Sequence, residues 1–537
     1  MQNLPYSYHT FLFPFIWKTE NDDTIGKFIS LLDTDNWKEQ IYGTEGVFPK
    51  NDQEEYIPDY AVYQYFTEPA RNLIFGMGKD NYMRLFHYNH KGKPWGSKEN
   101  GDEIGYYVIT KKEEVFRLVI NNIKLNIYES GTAILAFELE NWDARDIEKV
   151  NLINEYGRRV IFPFLSPGTT VLTADKIEII VDGEPIASEN FLATSRELEE
   201  DFTRVRDNKM SILYIMDPII DLLDGGKKEK DEGNITSNPN KRGFKIQSLI
   251  DDRMFVCCAV TDSSFVDYVR GDYRDGSYRY IRDCDKSHQE FDENLNYVNH
   301  TASNDLYRLL FIEKDCTCNS GVMRKEILKR CIYDRFINWG TIHGVCHHSI
   351  ICVSSGKHVI DAFLTEYVEI AKIALLQRGT ITKLSTEAAR ISDRIDSGDK
   401  KGLEEIEALQ KTYVKTQSQI LLFEVTAQEQ GVDLFNMLKN ELYIKENKEE
   451  LDEQMNNLRD VANIRNDRLE READKLLDRK LAILSVLALI IGVFEVAPII
   501  LDPYPSWQKM IVAVVAALFG LFLVLYLASK KNRGNNR

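Results

Sequence analysis

Arg158 and Arg159 stand side by side after Gly157 and before the apolar run Val160-Ile161-Phe162-Pro163-Phe164-Leu165. Two guanidiniums at a helix-to-strand junction can hold a phosphate through paired, charge-assisted hydrogen bonds. The same cations also suit a helix C-terminus, where the backbone dipole favours positive charge. Both roles stay open at this level. Asp217 and Asp221 interrupt the apolar stretch Ile215-Met216-Asp217-Pro218-Ile219-Ile220-Asp221. They could accept from a ribose hydroxyl or cap a helix. Cys316 and Cys318, with Cys346, His347 and His348, carry soft metal-ligand types. A Cys-x-Cys pair departs from the usual zinc spacing, and adjacent histidines on a strand face opposite ways. No metal is therefore expected. The chain has no GxxxxGK[ST], no complete GxGxxG, no HExxH and no GxSxG. No catalytic residue is assigned and enzymatic activity is not expected.

These groups belong to a chain of 537 residues, long enough for about three to four domains. Hydrophobic residues at 43% and charged residues at 28% are ample for a buried core. The formal net charge of −17 makes a poor nucleic-acid platform, which needs a Lys/Arg excess, and leaves room for a local basic pocket that takes a small anion. The eight cysteines all lie at or beyond Cys257, and adjacent Cys257-Cys258 does not read as a secreted disulfide framework. The opening MQNLPYSYHT has no basic segment followed by an apolar one, so no signal peptide is expected and the bulk of the chain reads as cytosolic.

Residues 1–355 read as a mixed α/β ligand-sensing domain with a flexible polar loop at 225–243. Tyr8–Trp17 has the apolar density of a buried strand, and Phe116–Glu140 reads as strands joined around Ser130-Gly131. Phe255–Val260, Leu306–Ile312 and Ile342–Val353 are further strand candidates. Trp142–Tyr156 reads as a helix with Asp143 as its N-cap. Residues 356–480 read as a helical hairpin and stalk. Helices over Ala362–Arg394 and Leu403–Lys445 flank a turn at Ser397–Gly402. A heptad seam then follows through Leu451, Met455, Leu458, Ala462, Arg465, Leu469, Glu472 and Leu476.

Two apolar runs close the sequence, Leu481–Leu501 and Met510–Ala528, with a Pro-bearing turn between them. Each approaches the roughly 20 residues that span a bilayer. The expectation is a two-helix transmembrane hairpin at 481–528 with a basic tail at 529–537. Flanking Lys and Arg would put both termini on the cytosolic side. Glu495 would form a ring of carboxylates in an oligomer or snorkel to the interface. Ala488 and Leu481 would line a path at heptad offsets from Glu495, with Ile491 and Leu484 on the alternate seam.

The order of two helices, long rod, Pro-bearing turn and second apolar run resembles the CorA-type divalent-cation channels. The stretch Val496-Ala497-Pro498-Ile499-Ile500-Leu501 stands where those channels carry Gly-Met-Asn. The runs YHTFLFPFIW, NEYGRRVIFPFL, DDRMFVCC and INWGTIHGVCHHS are similar to the CorA-like membrane effectors associated with type III CRISPR systems. That resemblance implies an antiviral membrane effector and a homo-oligomer, with five subunits expected. It also implies residence in the bacterial inner membrane. The effector would be gated by a nucleotide second messenger, the conjugate of S-adenosylmethionine with AMP. Arg158 and Arg159 would then meet the phosphate, and Asp217 and Asp221 a ribose hydroxyl or the methionyl amine. The alternatives are a CorA-like Mg²⁺ transporter, which the missing Gly-Met-Asn opposes, and a membrane-anchored nucleotide-processing enzyme.

Overall fold

A computed structural model describes residues 4–19, 24–40, 58–76, 82–91, 95, 105–160, 173–191, 219, 222–223, 244–250, 253–285, 290–291, 297–298, 301–313, 318–395, 400–500, 507–508, 511, 514–515, 518–520 and 522. In chain order the strands are β1 (Ser7–Thr19), β2 (Trp37–Gln40), β3 (Met83–Tyr88), β4 (Gly105–Lys111), β5 (Glu114–Tyr128), β6 (Thr132–Asn141), β7 (Lys176–Val181), β8 (Glu184–Glu189), β9 (Phe244–Ser248), β10 (Phe255–Val260), β11 (Glu290–Phe291), β12 (Tyr297–Val298), β13 (Ile332–Tyr333), β14 (Thr341–Val345) and β15 (Ser349–Ser354). β11 and β12 pair with each other. The rest form one 13-stranded sheet in the order β13-β14-β15-β10-β1-β6-β5-β4-β7-β8, with β9 on β1, β3 on β5 and β2 on β3. The described pairings are antiparallel except β10 with β15, so the sheet is mixed.

β1 is central because its sequence suits burial on both faces. Phe11, Leu12, Phe13 and Phe15 are all fully buried, the pattern of a strand covered on each side. Trp17 stacks on Phe28 of α1 (Ile25–Leu31) at 4.8 Å between ring centroids and donates Nε1–H to Thr132 O at 3.2 Å. The β5–β6 hairpin turns at Gly131, whose φ of +77° lies in the left-handed region that favours glycine.

Strand alternation sorts neighbouring residues onto opposite faces. His9 registers with Cys258, and Thr10 with Cys257. Toward one face, His9 Nδ1 bonds Asn154 Oδ1 at 2.7 Å, tying β1 to the helix α4 (Ile147–Gly157). Toward the other, Cys257 lies within electrostatic reach of Lys372 on the helix Val368–Ile395. The helices α2 (Pro58–Tyr65) and α3 (Glu68–Phe75) precede β3 in the chain.

Several sequence expectations are corrected here. The helix expected from Trp142 starts at Ile147, because β6 continues to Asn141 and Asp146 takes the cap by accepting from Glu148 N. Leu306–Ile312 is not a strand but lies in the helix Ala302–Phe311 and its cap. Thr301 caps that helix, and Leu306, Leu309 and Leu310 bury one face of it. Ile342–Val353 is two strands, β14 and β15, joined through Cys346–His348. The helix expected over Leu403–Lys445 is broken into Lys400–Gln419 and Glu429–Glu441. Between them Gln377 Nε2 donates to Ile420 O and Leu422 O, at 2.9 and 3.1 Å, and Thr426 bridges to Phe66. Those bonds replace the helical ladder.

The chain divides into two compact units, 1–393 with 407–453, and 394–406 with 454–537. One helix of 57 residues, Ile444–Ile500, contributes to both. Leu451, Met455, Leu458 and Ala462 of its seam are buried, whereas Leu469 and Leu476 are exposed. Among the described residues no helix is long and apolar enough to cross a membrane. This overturns the expected transmembrane hairpin at 481–528 and, with it, the inner-membrane placement. The first apolar run is the tail of a long charged helix. The second run is described only in short pieces. Leu481 and Ala488 are half-buried and Leu484 is exposed. Ile491 and Glu495 belong to the same helix, but their side chains lie outside the description. The pore-lining role expected for these five residues presupposed the hairpin.

Candidate anion-binding site

α4 delivers Arg158 as its C-terminal cap residue, with φ −83° and ψ −4°. The helix end is fixed by close packing. Tyr107 of β4 donates its hydroxyl to Gly157 O at 2.9 Å. A Cβ on Gly157 would come within 2.8 Å of Ile109 Cδ1 and of Phe11 Cε2, so only glycine fits without displacement. Arg158 O accepts from Met254 N at 2.6 Å, and Arg159 forms an antiparallel bridge with Arg253.

Both arginines turn back onto their own helix. Arg158 donates Nη2–H to Glu155 Oε2 at 2.6 Å, and Arg159 donates Nη2–H to Glu155 Oε1 at 2.9 Å. These are spacings of three and four residues, neighbours on a helical face. One carboxylate thus serves two guanidiniums. Arg158 is 1% exposed and Arg159 5%. Arg158 Nε and Nη1 are buried and have no hydrogen-bond partner among the described residues. A buried donor left without a partner costs on the order of 1–3 kcal/mol, more when charged.

The electrostatic surroundings are cationic. Burial pushes the Arg158 guanidinium below its ordinary range, Glu155 opposes this, and Arg253 and Arg159 add to it. His348 is pushed down to about 3, first by burial and then by Arg158, His347, Arg253 and Arg378. Arg378, on the helix Val368–Ile395, is itself lowered by burial, and its Nη1 has no hydrogen-bond partner among the described residues. Glu313 is raised, chiefly by burial and then by Glu155. Cys346 is raised by burial, so its thiol is poorly suited to act as a thiolate.

Of the residues expected from sequence, the structure brings Arg158 and Arg159 together on one carboxylate. Asp217 and Asp221 lie outside the described residues. Of their neighbours, Ile219, Leu222 and Leu223 are buried core. Cys316 also lies outside, and among the described residues no group of three or more His, Cys, Asp or Glu side chains is placed to hold a metal. Sequence reasoning missed Glu155, although its spacing to both arginines was a readable signal. It also missed Arg253 and Arg378, which reach the site only through tertiary packing. No family model, no curated protein and no solved structure matches the chain.

Proposed function

We propose that this chain is a receptor for a phosphate-bearing nucleotide, with Arg158 as the principal phosphate contact and Arg159 beside it. The observation that carries this reading is the buried Arg158 guanidinium, which keeps two hydrogen-bond donors without partners among the described residues. A phosphate oxygen is the acceptor that such a planar fork matches best. The competing reading is a helix-end staple, favoured because both arginines share Glu155. It leaves the Nε and Nη1 donors of Arg158 unexplained.

The ligand class follows from the resemblance to type III CRISPR-associated effectors: a nucleotide second messenger, the conjugate of S-adenosylmethionine with AMP. On this proposal the chain acts as a messenger-gated antiviral effector and works as a homo-oligomer. The self-association surface is the distal seam of the Ile444–Ile500 helix. There Leu469, Leu476, Leu477, Ile483 and Leu484 are exposed at heptad-compatible spacing.

Titration calorimetry of the full chain with the conjugate, with AMP and with S-adenosylmethionine tests the proposal. The conjugate and AMP should bind. Combining Arg158→Ala with Arg159→Ala should weaken both by at least a hundredfold, at about 1.5–3 kcal/mol per charge-assisted bond. Unchanged affinity in a variant that still melts cooperatively removes these arginines from the site.

A further inference from the structure

A second cavity lies elsewhere, on the face of the sheet opposite α4. It has a volume of about 780 Å³, within the range of small-molecule sites. Tyr8 and Thr10 of β1 line it, whereas the intervening His9 points to Asn154 on the α4 side. The other wall includes a π-helical segment, Phe363–Tyr367, inserted between the helices Lys357–Ala362 and Val368–Ile395. Such wide turns are rare and recur at functional sites. Here the π segment contributes Leu364, Thr365 and Glu366 to the lining.

The polar groups of the cavity are unevenly satisfied. Its buried cations are paired: Lys124 with Glu138 at 2.8 Å, and Lys372 with Glu369 at 2.6 Å. Three of its acceptor groups are not. His87 Nδ1 bonds Asn122 Oδ1 at 3.2 Å, which makes Nδ1 the protonated nitrogen and leaves Nε2 an acceptor. Nε2 is buried and has no partner among the described residues. Asn126 is 2% exposed. Its amide nitrogen turns to Met83 Sδ at 3.9 Å, and its Oδ1 is buried without a partner among the described residues. Glu366 makes no hydrogen bond or ion pair among the described residues, and burial raises its carboxyl to about 7. Native structures leave few buried polar atoms unmatched, and each such atom calls for an explanation. Beside these acceptors the cavity also presents Val62, Ile74 and Phe75.

We infer that this cavity binds a small organic amine with an apolar body, its N–H donors meeting the Glu366 carboxylate, His87 Nε2 and Asn126 Oδ1. Lys124 and Lys372 are held by carboxylates and the remaining lining lysine, Lys357, is exposed, so an acid of the same shape binds less well than the amine. The site is separate from the arginine cluster and does not depend on the nucleotide reading.

The test uses the full chain with two probes of similar body and opposite charge, phenethylamine and 3-phenylpropionate. Calorimetry should show saturable binding of the amine and at least tenfold weaker binding of the acid. At a hundredfold excess of amine over its Kd the folded-to-unfolded ratio should rise about a hundredfold. Glu366→Gln should weaken the amine at least tenfold. Thr365→Trp, which fills the cavity and replaces none of the three acceptors, should abolish binding, and it carries the test should Glu366→Gln fail to fold. Absence of saturable amine binding overturns the inference. So does equal binding of the acid, or amine affinity unchanged in Thr365→Trp.

Discussion

Arg158 donates to Glu155 Oε2 at 2.6 Å from the end of the same helix, and the pair is buried. The carboxylate is not Arg158's alone, because Arg159 takes the other oxygen at 2.9 Å. Arg158 Nε and Nη1 stay buried without an acceptor among the described residues, in a place where water is scarce. A bound phosphate would supply that acceptor, and the first two predictions follow from it.

Glu155→Gln should destabilise the fold by about 3–5 kcal/mol, since it leaves the buried Arg158 guanidinium without its carboxylate partner. Phosphate in the buffer should restore part of the loss, relative to chloride at equal ionic strength. Urea unfolding midpoints in the two buffers measure this. Equal midpoints would show that the arginines do not collect an anion.

Gly157→Ala should cost about 1–3 kcal/mol through overpacking, because its Cβ would press on Ile109 and Phe11 at 2.8 Å. The displacement falls on the residue before Arg158. Nucleotide affinity should therefore drop along with the melting temperature. A lower melting temperature with undiminished affinity would uncouple the helix end from the site.

Stability should fall as pH drops below the ordinary histidine range. His9 and His343 are fully buried, and burial lowers each from 6.5 to about 4. Between those values the unfolded chain binds protons that the folded chain refuses. The contribution is fully present above about pH 6.5 and lost as pH falls through about 4. At about 1.4 kcal/mol for each pH unit between the two values, this is on the order of 3 kcal/mol per histidine. Chemical denaturation at pH 7, 6 and 5 measures the slope. His9→Gln, which can keep a bond to Asn154, should flatten it, and an unchanged slope in that variant would remove His9 from the account.

Leu469→Asp combined with Leu476→Asp should dissociate the proposed homo-oligomer while leaving the sheet unit folded, because both side chains are exposed on the long helix. Sedimentation velocity reads the outcome directly. An unchanged assembly would place self-association elsewhere.

Much of the sheet was legible because local chemistry and final burial agree there. The apolar run around Phe11–Trp17 could only be a covered strand, and Gly131 marks the β5–β6 turn by its backbone freedom. The continuity of Ile444–Ile500 was legible in the lack of any proline between Pro239 and Pro498. Tertiary contacts decided the rest. Leu306–Ile312 has strand-like apolar density, but Thr301 caps it into a helix. The break at 420–428 depends on Gln377 and Phe66, distant in sequence. The apolar run from Leu481 was read by length and composition as a membrane span, and the structure instead carries it as the tail of a charged helix. At the site, Arg158 and Arg159 were visible as a pair. Their burial was not, because it depends on β4, the Arg253-Met254 segment and Ile312 closing over the helix end.

The central claim is that Arg158 recognises a phosphate, and a double-mutant cycle between protein and ligand tests it most directly. One arm replaces Arg158 by Gln. The other replaces the ionised phosphate of the S-adenosylmethionine–AMP conjugate by an uncharged methylphosphonate. Calorimetry gives the four affinities. The account predicts that each change alone weakens binding at least tenfold, and that the two together cost little more than either one. Losses that simply add, or full affinity in Arg158→Gln, would contradict it.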